Sequence, residues 1–266
     1  MRFPVYKRYY LVLLLLAVVG VAFAFRNRQV RQVTIAVKKR LAPVVIDSQA
    51  VNLKPKGTYA LQRQRIATAQ ARLRQKYLQA PTPVARQQAL DSARNYLQEA
   101  VVNQLVPHWY GTPWNFEGYT ETPQKGHIAC GYFVSTVLNH AGLKINRFKM
   151  AQQSPENEIR TLHQQPQAID FHATSVQAFE DSVRTNLTEG LYIFGLSNHV
   201  GFMLYHANKI YFIHSSGFVP DFKVVIEPAG VSLVLSYPQD CLLGAITPND
   251  ALVKQWLLGE TVVVQN

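Results

Sequence analysis

Apolar residues change their spacing twice along this chain. From Gly190 onward, short apolar and β-branched runs are separated by turn residues, which reads as strands at 191–196, 199–206, 209–215, 222–226, 231–236 and 242–246. Upstream the period is helical. Tyr59, Ile66, Leu73 and Tyr77 share one face of a helix over 58–79, with Arg and Gln on the other. Thr82-Pro83 supplies an N-cap and a proline at the first helical position. A second helix then runs to about Leu105 along Leu90, Ala93, Leu97 and Val101. Phe133, Val134, Val137, Leu138 and Ala141 predict a helix over 130–141, stopped by Gly142. Ser154-Pro155 opens another helix, and Thr174 or Ser175 opens one carrying Val176, Phe179 and Val183. A short helix over 250–258 closes the chain. Helices followed by an antiparallel sheet mean an α+β fold, with the N-terminal helices packed on the sheet.

A different pattern occupies the start. Arg2, Lys7 and Arg8 precede an unbroken apolar run from Tyr9 to Phe25. Two readings stand: a secretory signal cleaved after Ala22-Phe23-Ala24, or an uncleaved membrane anchor. Arg26, Arg28 and Arg31 follow at once, and positive charge there opposes translocation. Either reading places the main domain outside the cytoplasm, in the periplasm or at the cell surface. The expected organisation is a signal or anchor over 1–25, a basic, partly helical stalk over 26–80, and a catalytic domain over 81–266.

The charge sharpens this division. The net charge of +11 suggests a nucleic-acid or anionic partner when taken whole. Residues 26–100 hold 15 of the 27 basic residues and only three acids, whereas 101–266 hold nine basic and 13 acidic. The positive charge therefore sits in the stalk, near an anionic membrane or wall. No aromatic platform is interleaved with it, so nucleic acid is not expected as a partner.

Two cysteines, Cys130 and Cys241, leave two possibilities open: one disulfide, or one reactive thiol and one buried spare. Cys130 stands at the start of the helix over 130–141, where the helix dipole favours a thiolate. Downstream, a turn centred on Ala207-Asn208 pairs 206 with 209 and 205 with 210. In that register Gly201 faces His214 and His199 faces Ser216. With the period of two, His199 and His214 emerge on one face as diagonal neighbours. A thiol nucleophile needs a base, and the base needs a partner that fixes its tautomer. Cys130, His199 and His214 are the candidates for these three roles. The same residue types also suit a zinc site with water as fourth ligand, but the catalytic reading needs neither metal nor cofactor.

These residues resemble a family. Gly111-Thr112-Pro113-Trp114, Ala129-Cys130-Gly131-Tyr132-Phe133, His199-Val200-Gly201 and Ile213-His214 follow, in order, the motifs of the NlpC/P60 proteins. Those proteins are papain-like cysteine hydrolases of bacterial cell-wall peptides. The resemblance spans about 88–247, with 143–187 as a poorly matching insert. It implies a papain-like fold, Cys130 as nucleophile, His199 as base and His214 as the orienting residue. It also implies a loop aromatic that binds the oxyanion with the Cys130 backbone N–H, for which Trp114 and Tyr119 are the candidates. The family's Asp before the cysteine is Ala129 here, and its Ser after the cysteine is Gly131. The expected activity is thiol-dependent cleavage of an amide or peptide bond, in cell-wall peptides, through a thioester. The alternatives are a catalytically inert module that binds wall or protein, or acyl transfer or amide hydrolysis on a lipid or small substrate.

Overall fold

The computed structural model describes residue 51 and residues 53–162, 169–237 and 239–265. Residues 1–50, with the apolar run and the first part of the expected stalk, lie outside the described residues. Among the described residues, no helix is long and apolar enough to cross a membrane.

Helix α1 (Tyr59–Leu78) begins where the Thr58 side chain accepts a hydrogen bond from the Leu61 N–H. Helix α2 (Pro83–Glu99) begins in the same way on Thr82 and continues through a π-helical turn, Ala100–Leu105, into α3 (Val106–Trp109). Then come α4 (Cys130–His140), α5 (Arg147–Ala151) and α6 (Pro155–Leu162). Strand β1 (Ile169–Ala173) and α7 (Val176–Asn186) precede β2 (Gly190–Leu196), β3 (His199–His206), β4 (Lys209–Ser216) and β5 (Lys223–Pro228). Strand β6 (Gln239–Ala245) and α8 (Asp250–Leu258) complete the α+β chain. The strands form one antiparallel sheet in the order β1-β6-β2-β3-β4-β5.

Both faces of the sheet are buried. Val200, Phe202 and Leu204 of β3 join Phe133 and Val137 of α4, Leu97 of α2 and Trp109 in one core. On the other face Met203 and Tyr205 join Phe194, Phe212 and, from α7, Phe179 and Val183. Burial on both faces explains why β2 reads as an unbroken apolar run rather than an alternation.

Three elements differ from expectation. Residues 231–236 are not a strand: a 3-10 turn, Ala229–Val231, leads into bends in which the Ser236 N–H donates to the Leu233 carbonyl. Val234 and Leu235 are apolar because they are buried there. Strand β1 was hidden in the expected insert by its polar residues Asp170 and His172, and it pairs with β6 at the sheet edge. Helix α1 does not stand off as a spacer. Ile66 and Leu73 are buried in the first core, and the Tyr59 phenol bonds His140 Nδ1 and Trp109 Nε1, each at 2.8 Å. The Arg residues that suggested a stalk lie on the exposed face of a packed helix, while Gln62 is buried and Gln70 donates to the Trp256 carbonyl.

Candidate active site

The β3–β4 hairpin has the register that its turn implies, with Phe202 opposite Ile213 and His206 opposite Lys209. Ala207 and Asn208 both take positive φ, 48° and 60°, as a two-residue turn matching the strand twist requires. His199 Nε2 and His214 Nδ1 are 2.8 Å apart, and the rings meet edge to face. His214 also stacks on Phe212, with 4.1 Å between ring centroids. Its Nε2 lies 3.3 Å from Glu227 Oε1, which β5 presents opposite Phe212. All three polar side chains are buried.

This chain of groups orders its own protons. With Glu227 ionised and His214 neutral, the His214 Nε2–H donates to Glu227 Oε1. His214 Nδ1 is then an acceptor, and the His199 Nε2–H donates to that nitrogen. His199 Nδ1 is left with a lone pair, which is the form a general base needs. Burial holds the His199 pKa well below the ordinary histidine value, with a smaller contribution from His214 whenever that ring is charged, so the imidazole is neutral at pH 7.

Gly201 makes the pair possible. A Cβ there would lie 2.7 Å from His214 Cβ, 2.6 Å from the Phe212 ring and 2.9 Å from the Ile213 carbonyl oxygen. Gly201→Ala is therefore expected to lower stability by about 2 kcal/mol through overpacking. It should also part the imidazoles. Thermal unfolding measures the first effect, and the histidine ring NMR signals measure the second. A variant with wild-type melting and unchanged ring shifts would show that the close approach is not needed.

Cys130 opens α4 after Ala129, whose side chain offers no cap. Backbone hydrogen bonds from Ala129 to Gly118 and from Ile128 to Pro113 tie this turn to the preceding loop. The Ser215 hydroxyl donates to the Ile128 carbonyl at 2.7 Å, tying it also to β4. The thiol differs from expectation: its pKa is raised, because burial outweighs every favourable contact. The backbone N–H groups of Val200, Gly131 and Cys130 itself pull it down, and the Glu158 carboxylate pushes it up. The helix dipole does not prevail over the loss of water.

The structure thus joins His199 to His214 and brings Cys130 to the β3 backbone at Val200, one residue from His199. Among the described residues no hydrogen bond links the Cys130 thiol to the His199 ring. Strand alternation is the reason. Val200 faces the core that holds α4, whereas the His199 ring lies on the other face, against Phe212 and Phe218.

Trp114 and Tyr119, the two oxyanion candidates, stand apart from each other. The Trp114 indole covers Gly217 and lies 6.0 Å from the Phe222 ring. The Tyr119 ring is 61% exposed and meets Tyr132 and Phe148 on the helix side. Neither hydrogen-bonds Cys130 among the described residues. Tyr119 is held through its backbone, whose carbonyl accepts from buried Arg147 at 2.9 Å. Arg147 also bonds Thr136 and Glu121.

Cys130 and Cys241 are both free thiols, so no disulfide occupies the candidate nucleophile. Burial pushes the Cys241 thiol up to about 12, which makes it the inert one. Among the described residues no group of three or more His, Cys, Asp or Glu side chains is placed to hold a metal ion. Sequence reasoning missed Glu227 and Glu158. Glu227 ends a run, Val224-Val225-Ile226, that signals only a strand, and Glu158 sits in a helix rich in charge. No protein-family model, no curated protein and no solved structure matches this chain.

Proposed function

We propose that this chain is an exported, papain-like thiol hydrolase of the NlpC/P60 type that cleaves an amide bond in cell-wall peptides. The observation that carries the reading is the buried chain Glu227–His214–His199, which leaves a neutral base one residue from the Val200 N–H that the Cys130 thiol meets. In this reading substrate binding brings the His199 ring to the Cys130 thiol, a contact not formed among the described residues, and the thiol proton passes to His199 Nδ1 as the sulfur attacks the carbonyl carbon. The C–N bond then breaks, and His199 returns the proton to the leaving amine, which leaves a thioester on Cys130. Water, deprotonated by His199, attacks the thioester and releases the acid and the thiol. The Cys130 and Gly131 N–H groups, both turned toward the sulfur, are the donors available to the oxyanion.

The test is to incubate the full-length protein with purified wall fragments and read new amine ends by mass spectrometry. New ends are expected. A specific observation favours a second reading, acyl transfer or hydrolysis on an apolar substrate. Phe218, which touches the His199 ring, is 40% exposed, and Phe222 beside Trp114 is 46% exposed. No amine ends but turnover of a simple acyl ester would replace the first reading by the second. Inertness toward both would leave a binding module.

A further inference from the structure

The residue after the candidate nucleophile is Gly131, and the space a side chain would fill there is occupied. A Cβ on Gly131 would lie 2.6 Å from Glu158 Oε1 and 2.9 Å from the Ala151 carbonyl oxygen. Glu158 projects from α6 onto the first turn of α4, the turn that carries Cys130. Its residue is only 2% exposed, and its Oε2 has no hydrogen-bond partner among the described residues. A carboxyl so enclosed cannot meet a substrate. What it meets is the N-terminal turn of α4.

The neighbouring charges are committed elsewhere. Arg147 on α5 bonds Glu121, Thr136 and Tyr119, and Lys149 donates to the Val264 carbonyl. On α6 itself Glu156 and Arg160 pair with each other. Tyr192 on β2 bonds Thr188, and on β6 Asp240 bonds His172 while the Cys241 thiol is buried. His199 on β3 is bonded to His214. Among the described residues none forms a hydrogen bond or ion pair with Glu158. The group whose charge Glu158 reaches is Cys130.

We propose that Glu158 is a positioning residue for Cys130: the two side chains share the uncapped N-terminal turn of α4, so an ionised Glu158 opposes formation of the thiolate there. The inference rests on reading Cys130 as the nucleophile. Two acids this close, with one favourable helix end between them, titrate as a pair and not singly. Burial keeps the carboxyl neutral well above the ordinary glutamate range, so its proton leaves nearer to the thiol's than an exposed glutamate's would. Gly131 has a physical reason on this view, because any side chain there would drive the carboxyl away from the turn.

The experiment is the pH dependence of Cys130 alkylation by iodoacetamide in the full-length protein, followed by peptide mass spectrometry. Glu158→Gln keeps the shape and removes the charge. Its alkylation midpoint is expected about one pH unit below wild type, with about tenfold faster labelling on the rising limb. An unchanged or higher midpoint overturns the inference. A wild-type Cys130 that never labels overturns the proposed function instead, so the two failures are distinct. If Glu158→Gln does not fold, the coupling is read in wild-type protein from the other side. Carboxymethylation of Cys130 by iodoacetate adds a fixed anion, and carbamidomethylation by iodoacetamide does not. Carbon-13 NMR should then place the Glu158 midpoint about one unit higher in the first adduct than in the second. Equal midpoints overturn the inference.

Discussion

Alanine at Cys130 or at His199 is expected to lower the release of new amine ends from wall fragments by about a thousandfold or more, since members of a catalytic unit fail together. Alanine at His214 should cost less, on the order of ten- to a hundredfold, because it only orients and polarises His199. The pH profile carries more information than the losses. Burial raises the Cys130 thiol and lowers the His199 imidazole, so at pH 7 the resting pair is neutral thiol and neutral base. The proton must then move during the attack. The ratio kcat/KM is expected to be flat from about pH 6.5 to 8, because neither group changes charge within its ordinary range. A preformed thiolate–imidazolium pair would give a bell with an acid limb set by the thiol. That bell, or full activity in either alanine variant, would sink the reading.

The hairpin and both histidines were legible because local rules set them. A period of two, a two-residue turn and a glycine opposite His214 determine one face and one register, whatever packs around them. The thiol was legible as a position and not as a chemical state. The helix dipole can be read from the sequence, but the burial that outweighs it comes with packing against distant parts of the chain, among them β3 at Val200 and α6 at Glu158. Helix α1 shows the same limit. Its Arg and Gln face is the visible signal, and nothing local says that Ile66 and Leu73 find a partner in α2 and the core. Glu158 is the strongest case. Between Glu156 and Arg160 it reads as one more charge on a solvated helix, yet it is the member of that group turned inward onto Gly131.

Acid is expected to loosen the fold through two histidines held neutral by burial. His140 Nδ1 accepts from the Tyr59 hydroxyl, which in turn accepts from Trp109 Nε1–H. A proton on Nδ1 would set donor against donor. Burial, with Arg63 next in size, lowers the His140 pKa to about 4. A base whose folded pKa lies below its unfolded value stabilises the fold above about pH 6.5 and loses that contribution as pH falls. For His140 the loss is about 2–3 kcal/mol by pH 4. His199, also lowered, acts in the same direction. Glu158 acts in the opposite one. Its folded pKa is raised, so its contribution is present below about pH 4.5 and is lost as pH rises. Wild-type melting should therefore fall on acidification from pH 6.5 to 4 by less than the histidines alone would dictate. In Glu158→Gln nothing offsets them, and a fall of about 6–12 °C is expected over that interval. Thermal unfolding at several pH values, followed by circular dichroism, makes the comparison. If the variant falls no more steeply than wild type, the buried carboxyl is not the group that opposes the histidines. If neither protein falls, burial does not hold these two histidines neutral.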